Sequence, residues 1–309
     1  MNTRIAPPTP AAVPLAPAWA AGGRRRRSAV WILLSPVLVL LLVFFVGPLA
    51  MLFVFSFYKA QPGNAMIPSF TLENYGRFFT EPLNLRVLWH TLALGFNVTI
   101  GCVALGFPLA YNLARTRDRR LRAILIALLL VPMTTSTIVR SYGWMILLGN
   151  NGLVDVLLRS LGLARQPVQL MYTNEGTTIA LIEVLLPFMV LTLMPVLQNI
   201  DRSLEQAAQS LGAGVWRTFL DIVLPLSMPG IAAGSLFVFA LAIASYATPA
   251  LIGGAKLLVM SLFIYQQALA LFNWPFGAAI SFVLLFVVLL LVLIQTRLLE
   301  RERRWDYSQ

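Results

Sequence analysis

The segment FGAAISFVLLFVVLLLVLIQT, residues 276–296, runs for 21 residues without a charge. At 1.5 Å per helical residue it covers roughly 30 Å, the thickness of the hydrocarbon core of a bilayer. It closes a charge-free run of 40 residues from Leu257 to Thr296, and another of 31 extends from Ser28 to Tyr58. Across all 309 residues, 59% are hydrophobic and only 11% are charged. A soluble domain carries about 25% charged residues. This many apolar side chains cannot be hidden in one water-soluble core. Lipid leaves backbone polar groups no partner but each other, so the expected class is an all-α integral membrane protein.

Working outward from that segment, hydropathy predicts six spans at about 29–57, 89–114, 122–148, 177–199, 229–252 and 277–297. Residues 1–28 read as a disordered basic cytosolic tail, rich in Ala and Pro and ending in Arg24-Arg25-Arg26-Arg27. Residues 298–309 read as a second cytosolic tail, flanking a transmembrane domain at 29–297. The apolar run after the arginines is too long for a cleaved signal peptide. With the N-terminus in the cytosol, 16 of the 23 Lys and Arg residues fall in inner segments. This asymmetry follows the positive-inside rule and expects both termini inside. It also accounts for the net charge of +11 without nucleic acid, because the basic residues sit beside apolar runs.

The expected outer loops carry some structure of their own. Residues 58–88 hold turn signals at Pro62-Gly63-Asn64 and Pro68. After Gly149-Asn150-Asn151-Gly152, the residues Leu153, Val154, Leu157, Leu158 and Leu161 against Asp155, Arg159 and Ser160 read as a short amphipathic helix. That helix suits either the outer membrane surface or simple packing within the loop.

Between the fourth and fifth spans lies a polar segment, 200–228, that cannot sit in lipid. Leu204, Ala207, Ala208 and Leu211 share one helical face. Gly212 supplies a turn. A second helical stretch carries Val215, Trp216, Phe219, Ile222 and Val223, and Pro225 is expected to stop it. A short amphipathic helix with small residues and a hinge suits insertion into a groove on a soluble partner, or packing beneath its own bundle.

The spacing resembles the EAA loop of permease subunits of bacterial ABC importers. That pattern is Glu-Ala-Ala, three residues, Gly, nine residues, Ile, any residue, Leu-Pro. Here Gln206-Ala207-Ala208 precedes Gly212, Ile222 and Leu224-Pro225 in register. Gln206 stands where the family has Glu; Glu205 is adjacent but points about 100° away on a helix. Further stretches resemble the spermidine and putrescine branch: Pro132 to Tyr142, Asn151-Gly152-Leu153, Tyr246 to Gly254 and Asn273 to Ala279. The resemblance covers about residues 30–297. It implies a six-helix type I permease fold in a bacterial inner membrane. It also implies a small solute, a polyamine or another, moved by alternating access. The implied partners are cytosolic ATPase subunits, a second permease subunit in a heterodimer, and an extracytoplasmic solute-binding protein. Glu205, Gln206, Ala207, Ala208, Gly212, Ile222, Leu224 and Pro225 would couple to the ATPase.

No phosphate-cradling Gly-x-x-x-x-Gly-Lys-Ser/Thr occurs, and Gly253-Gly254-Ala255-Lys256 lacks that spacing. ATP hydrolysis is therefore expected in another polypeptide, and no cofactor is expected here. Neither the single cysteine, Cys102, nor the single histidine, His90, belongs to a ligand cluster, so no metal is expected. Arg140 and Glu183 fall inside predicted spans at similar depth and are expected to pair or to face a shared pathway or gate. Tyr142, Trp144, Tyr246 and Trp274 offer faces to a cation, or else sit at the interface as Trp and Tyr commonly do. A secondary transporter or channel is the alternative, but it would carry more ionisable residues along its spans. A membrane enzyme would need an acid–base, nucleophilic or metal constellation that the sequence does not offer.

Overall fold

The computed structural model describes residues 34–60, 66–162 and 166–306. The expected basic tail at 1–28 lies outside the described residues. Chain contacts divide the molecule into Met1–Val54 and Phe55–Gln309, and the two are taken separately.

The first unit contributes helix α1, Leu34–Phe55, a 22-residue helix long and apolar enough to span. It contains a widened turn at Leu42–Val46, in which the Gly47 N–H bonds the Leu42 carbonyl. Pro48 follows at once. A proline has no N–H, and its ring would strike the carbonyl four residues back in a regular α-helix. The wide turn moves that carbonyl aside, so the helix continues through the proline.

The second unit opens with a small hairpin, β1 (Lys59–Ala60) and β2 (Met66–Ile67), with Lys59 opposite Ile67. Helix α2 (Glu73–Thr80) follows, then the 34-residue α3 (Pro82–Arg115). Sequence placed the start of this span near residue 89. The helix begins earlier because Pro82 fits the first helical turn and Asn84 bonds the Phe78 carbonyl across the entry. Next come α4 (Arg119–Leu130), α5 (Thr137–Leu148), α6 (Leu153–Ser160) and α7 (Asn174–Asn199). Then follow α8 (Arg202–Ser210), the 30-residue α9 (Val215–Ala244), α10 (Met260–Tyr265) and α11 (Trp274–Asp306).

Two sequence expectations need correction. The third span, expected at 122–148 with Pro132 as a point of kinking, is broken outright. The stretch Arg119–Thr134 and the stretch Thr137–Ser160 meet at 97°. Pro132 is the second residue of a tight 3-10 turn at Val131–Thr134, and Thr135 takes extended backbone and Ser136 a non-helical one, so the α-helical ladder is interrupted there. Among the described residues five helices are long and apolar enough to span, and six if the bent pair is counted as one span. The fifth span, expected at 229–252, is the helix Val215–Ala244. Pro225 does not stop it. A widened turn at Phe219–Val223 again precedes the proline, with the Leu224 N–H bonded to the Phe219 carbonyl. The same device thus carries α1 past Pro48 and α9 past Pro225.

The core is a packet of α3, α7 and α9. Leu94, Val98 and Leu113 meet Leu181, Leu193 and Leu197, with Val223 and Val238 closing the third side. Lipid tails are as apolar as leucine, so helices associate here by close fit rather than by leaving water. Met189 shows that fit. It is fully buried on α7 between Gly106 of α3 and Gly234 of α9. A methyl added at Gly106 would lie 2.9 Å from the Met189 Cγ, and one added at Gly234 would lie 2.7 Å from its sulfur.

A second cluster joins Phe78, Val87, Met260, Phe263, Phe276 and Ile280 at the α2 end of the bundle. Thr91 Oγ1 accepts the Met260 N–H at 2.8 Å and ties α10 to α3. The amphipathic helix at 153–160 is present as α6, but its Asp155 is turned inward. Asp155 is 3% exposed and accepts from the Val168 N–H at 2.9 Å and from Arg159 at 2.6 Å. Leu153, Val156 and Leu157 face outward.

Candidate functional site

Two constellations stand out. The first is the elbow formed by α8, the turn at 211–214 and the start of α9. Asp201 caps α8: its carboxylate accepts the Ser203 N–H at 2.9 Å, which holds its pKa below the usual carboxylate value. The C-terminus closes with paired bonds, Ala213 N–H to Ala208 O and Gly212 N–H to Gln209 O, each 3.0 Å. This is the Schellman arrangement, and it requires a left-handed residue, supplied by Gly212 at φ +88°. Gly214 then precedes Val215, the first residue of α9.

The elbow turns apolar groups outward. Leu211 is 89% exposed, Val215 79% and Trp216 72%. Leu204, Gln206 and Ala207 are exposed with them, and Gly212 and Pro225 are also open. Ala208, Ile222 and Leu224 are half-buried. No residue of α8 is buried.

Glu205 differs from its neighbours. It turns back into the chain and pairs with Arg115, the last residue of α3, their side chains 15% and 14% exposed. Tyr111 donates its hydroxyl to the same carboxylate at 2.9 Å. Arg115 also donates to the Ile200 carbonyl at 3.0 Å, and Arg202 donates to the Arg115 carbonyl at 2.6 Å. Arg115 and Tyr111 were not among the residues expected from sequence. They lie about ninety positions from Glu205, and no local pattern announces the pairing.

The second constellation is intramembrane. Arg140 on α5 and Glu183 on α7 do pair, Nη1 to Oε1 at 3.6 Å. Trp144 Nε1 donates to the other Glu183 oxygen at 3.3 Å. Arg140 is 13% exposed at its side chain and Glu183 32%. The helix break places Arg140 in the first turn of α5, where the chain changes direction. Ser141 and Thr248 are 3.3 Å apart, hydroxyl to hydroxyl, linking α5 to the Pro249–Gly253 turn after α9.

The aromatics expected beside this pair are dispersed. Tyr142 lines a separate hollow of about 410 Å³ with Met145, Gln169, Met171 and Tyr172. Tyr246 packs on Tyr265 with ring centroids 4.8 Å apart. Trp274 opens α11, 38% exposed. Only Trp144 reaches the carboxylate. Among the described residues no group of three or more His, Cys, Asp or Glu is placed to hold a metal ion.

Comparison with known proteins agrees with this geometry. Residues 102–304 match the family described as binding-protein-dependent transport system inner membrane component. The spermidine/putrescine transport system permease protein PotB of Salmonella typhimurium (strain SL1344) is 38% identical over 257 residues, 83% of this chain and 89% of the relative. The inner membrane ABC transporter permease protein YdcU of Escherichia coli (strain K12) is 32% identical over 281 residues, 86% of this chain and 88% of the relative. A chain of a bacterial alginate ABC transporter, solved in complex with its alginate pentasaccharide-bound periplasmic protein, superimposes with a TM-score of 0.74. That likeness covers 92% of this chain and 97% of the other at 18% identity, and is one of fold. The family match spans most of the second unit and both relatives exceed 30% identity, so the chain belongs to the binding-protein-dependent transport system inner membrane components, the multi-pass permease subunits of ABC importers.

Proposed function

We propose that this permease imports polyamines, putrescine or spermidine, by alternating access driven by a separate ATPase. The observation that carries the substrate is the 38% identity to PotB across most of both chains. The elbow is the ATPase seat: Leu211, Val215 and Trp216 lie open at the end of the bundle, where an apolar patch in water needs a partner. With that end in the cytosol, residues 1–28 and 298–309 are cytosolic tails and the α5–α6 end faces outward. A second permease subunit completes the pathway, and a soluble binding protein delivers solute to the outer end.

Within the pathway, the Arg140–Glu183 pair removes the repulsion that a lone buried guanidinium would exert on a polyamine. The partial exposure of Glu183, about a third of its side chain, supports a role for this carboxylate, beside Trp144, in the solute path. ATP-driven closure moves the elbow, and the bundle rocks between states that differ in affinity for the solute.

The test is reconstitution of the complete importer in proteoliposomes. Putrescine or spermidine delivered by the binding protein should stimulate ATP hydrolysis and accumulate inside. Sulfate and amino acids serve as controls. Stimulation by a control solute alone would refute the polyamine reading and keep the permease assignment.

A further inference from the structure

We propose that Glu205, held by Arg115 and Tyr111, is the polar half of a two-point grip by which the elbow moves α3. The proposal rests on the elbow being the ATPase seat. Since no residue of α8 is buried, apolar packing alone does not fix this helix to the bundle. Its hold is polar. Glu205 meets the Arg115 guanidinium and the Tyr111 hydroxyl, and Arg202 meets the free carbonyl at the end of α3. That carbonyl end carries the negative pole of the helix, which favours a cation there.

The second point is aromatic. Trp216 stacks on Phe219 with centroids 5.6 Å apart and planes 23° apart. Phe219 meets Phe107 of α3 edge-on, at 5.4 Å and 86°. Trp216 is 72% exposed and Phe107 only 6%, so this short stack runs from the docking face into the core.

Phe107, Tyr111 and Arg115 are spaced by four. Residues four apart share one face of a helix, so all three lie on one stripe of α3. From Phe107 to Arg115 the stripe rises about 12 Å along the axis. A single contact would let the elbow pivot. Two contacts this far apart on one stripe make it turn and shift α3 as a body. Helix α3 also packs on α7, which carries Glu183, and on α9. Motion at the elbow thereby reaches the intramembrane pair. Arg115, Tyr111 and Glu205 are positioning residues: they touch neither ATP nor solute.

The experiment uses the complete importer in proteoliposomes with putrescine and spermidine as probes. It reads uptake per ATP hydrolysed, ATPase retained on the purified permease, and amide exchange over residues 107–115 on adding ATP with vanadate. Glu205→Gln and Arg115→Gln should keep the ATPase, lose the exchange response, and lower uptake per ATP on the order of 10-fold. Arg115→Lys, which keeps the charge, should recover most of the coupling. The swap Arg115→Glu with Glu205→Arg should recover more than either of its single changes. Unchanged uptake per ATP and an unchanged exchange response in both Gln variants would overturn the proposal. Release of the ATPase by Glu205→Gln but not by Arg115→Gln would overturn it too, since Glu205 would then serve the ATPase directly. Failure of the seat itself is separate: Leu211→Asp and Trp216→Asp would then still retain the ATPase.

Discussion

Gly212 offers the cleanest perturbation. Its φ of +88° closes the Schellman turn at the end of α8. A Cβ built there meets nothing within 4 Å. Gly212→Ala therefore creates no clash, and its whole cost is that of holding an L-residue in the left-handed region, about 1–2 kcal/mol. An exposed turn relieves such strain by opening locally, without unfolding the bundle. The docked elbow then becomes the minor conformer, and apparent affinity falls with its population. At about 1.4 kcal/mol per tenfold, the ATPase should bind roughly 5- to 30-fold more weakly. Gly214 is the internal control. It too has open space around it, but its φ is −66°, so Gly214→Ala should have little effect. Gly212→Asn should fall between, because Asn tolerates the left-handed region best after Gly. The assay is titration of the purified ATPase onto the permease complex in nanodiscs, with thermal stability recorded in parallel. Equal affinity for Gly212→Ala and Gly214→Ala, at equal stability, would refute the claim that the left-handed turn shapes the seat.

Other outcomes follow from the same geometry. Glu183→Gln strands a guanidinium that is 13% exposed and should cost about 3 kcal/mol, whereas Arg140→Gln leaves a carboxylate that is 32% exposed and should cost about 1. Unfolding of single and double variants in detergent measures this asymmetry, and equal costs would contradict it. Met189→Ala should cost about 2–5 kcal/mol by emptying the slot between Gly106 and Gly234. Gly234→Ala should cost about 1–3 by overfilling it, and combining the two should cost less than their sum. The Asp201 cap gives a pH test: its folded pKa is lowered, so its contribution is complete above the usual carboxylate pKa and is lost as pH falls through the folded value. Amide protection in residues 202–210 should fall in that acidic window, and Asp201→Asn should flatten the dependence while keeping the cap.

The fold class was legible because hydropathy is a local property. A run such as 276–296 needs no knowledge of its neighbours to be assigned to lipid. The elbow was legible for a similar reason. Its Gly, its small residues and its spacing all lie within about twenty positions, and the capping chemistry of Asp201 and Gly212 is local too. Depth alone offered the Arg140–Glu183 pair as one of two readings, the other being a shared pathway, since two isolated charges at one level of the bilayer have few other partners.

What the sequence left undecided depends on competition between local and distant forces. Pro225 reads as a helix stop, and by itself it is one. Whether a widened turn absorbs it depends on how much burial a continuous α9 gains against α3 and α7. At Pro132 a kink was expected, but not its size: the chain bends there by 97°. The orientation of α6 was likewise open, because its Asp155 found a partner in the Val168 backbone rather than in water. Most of all, Glu205 and Arg115 are joined only by the way α3 and α7 pack. Helix periodicity states which residues share a face; it carries no information about which other helix that face will meet.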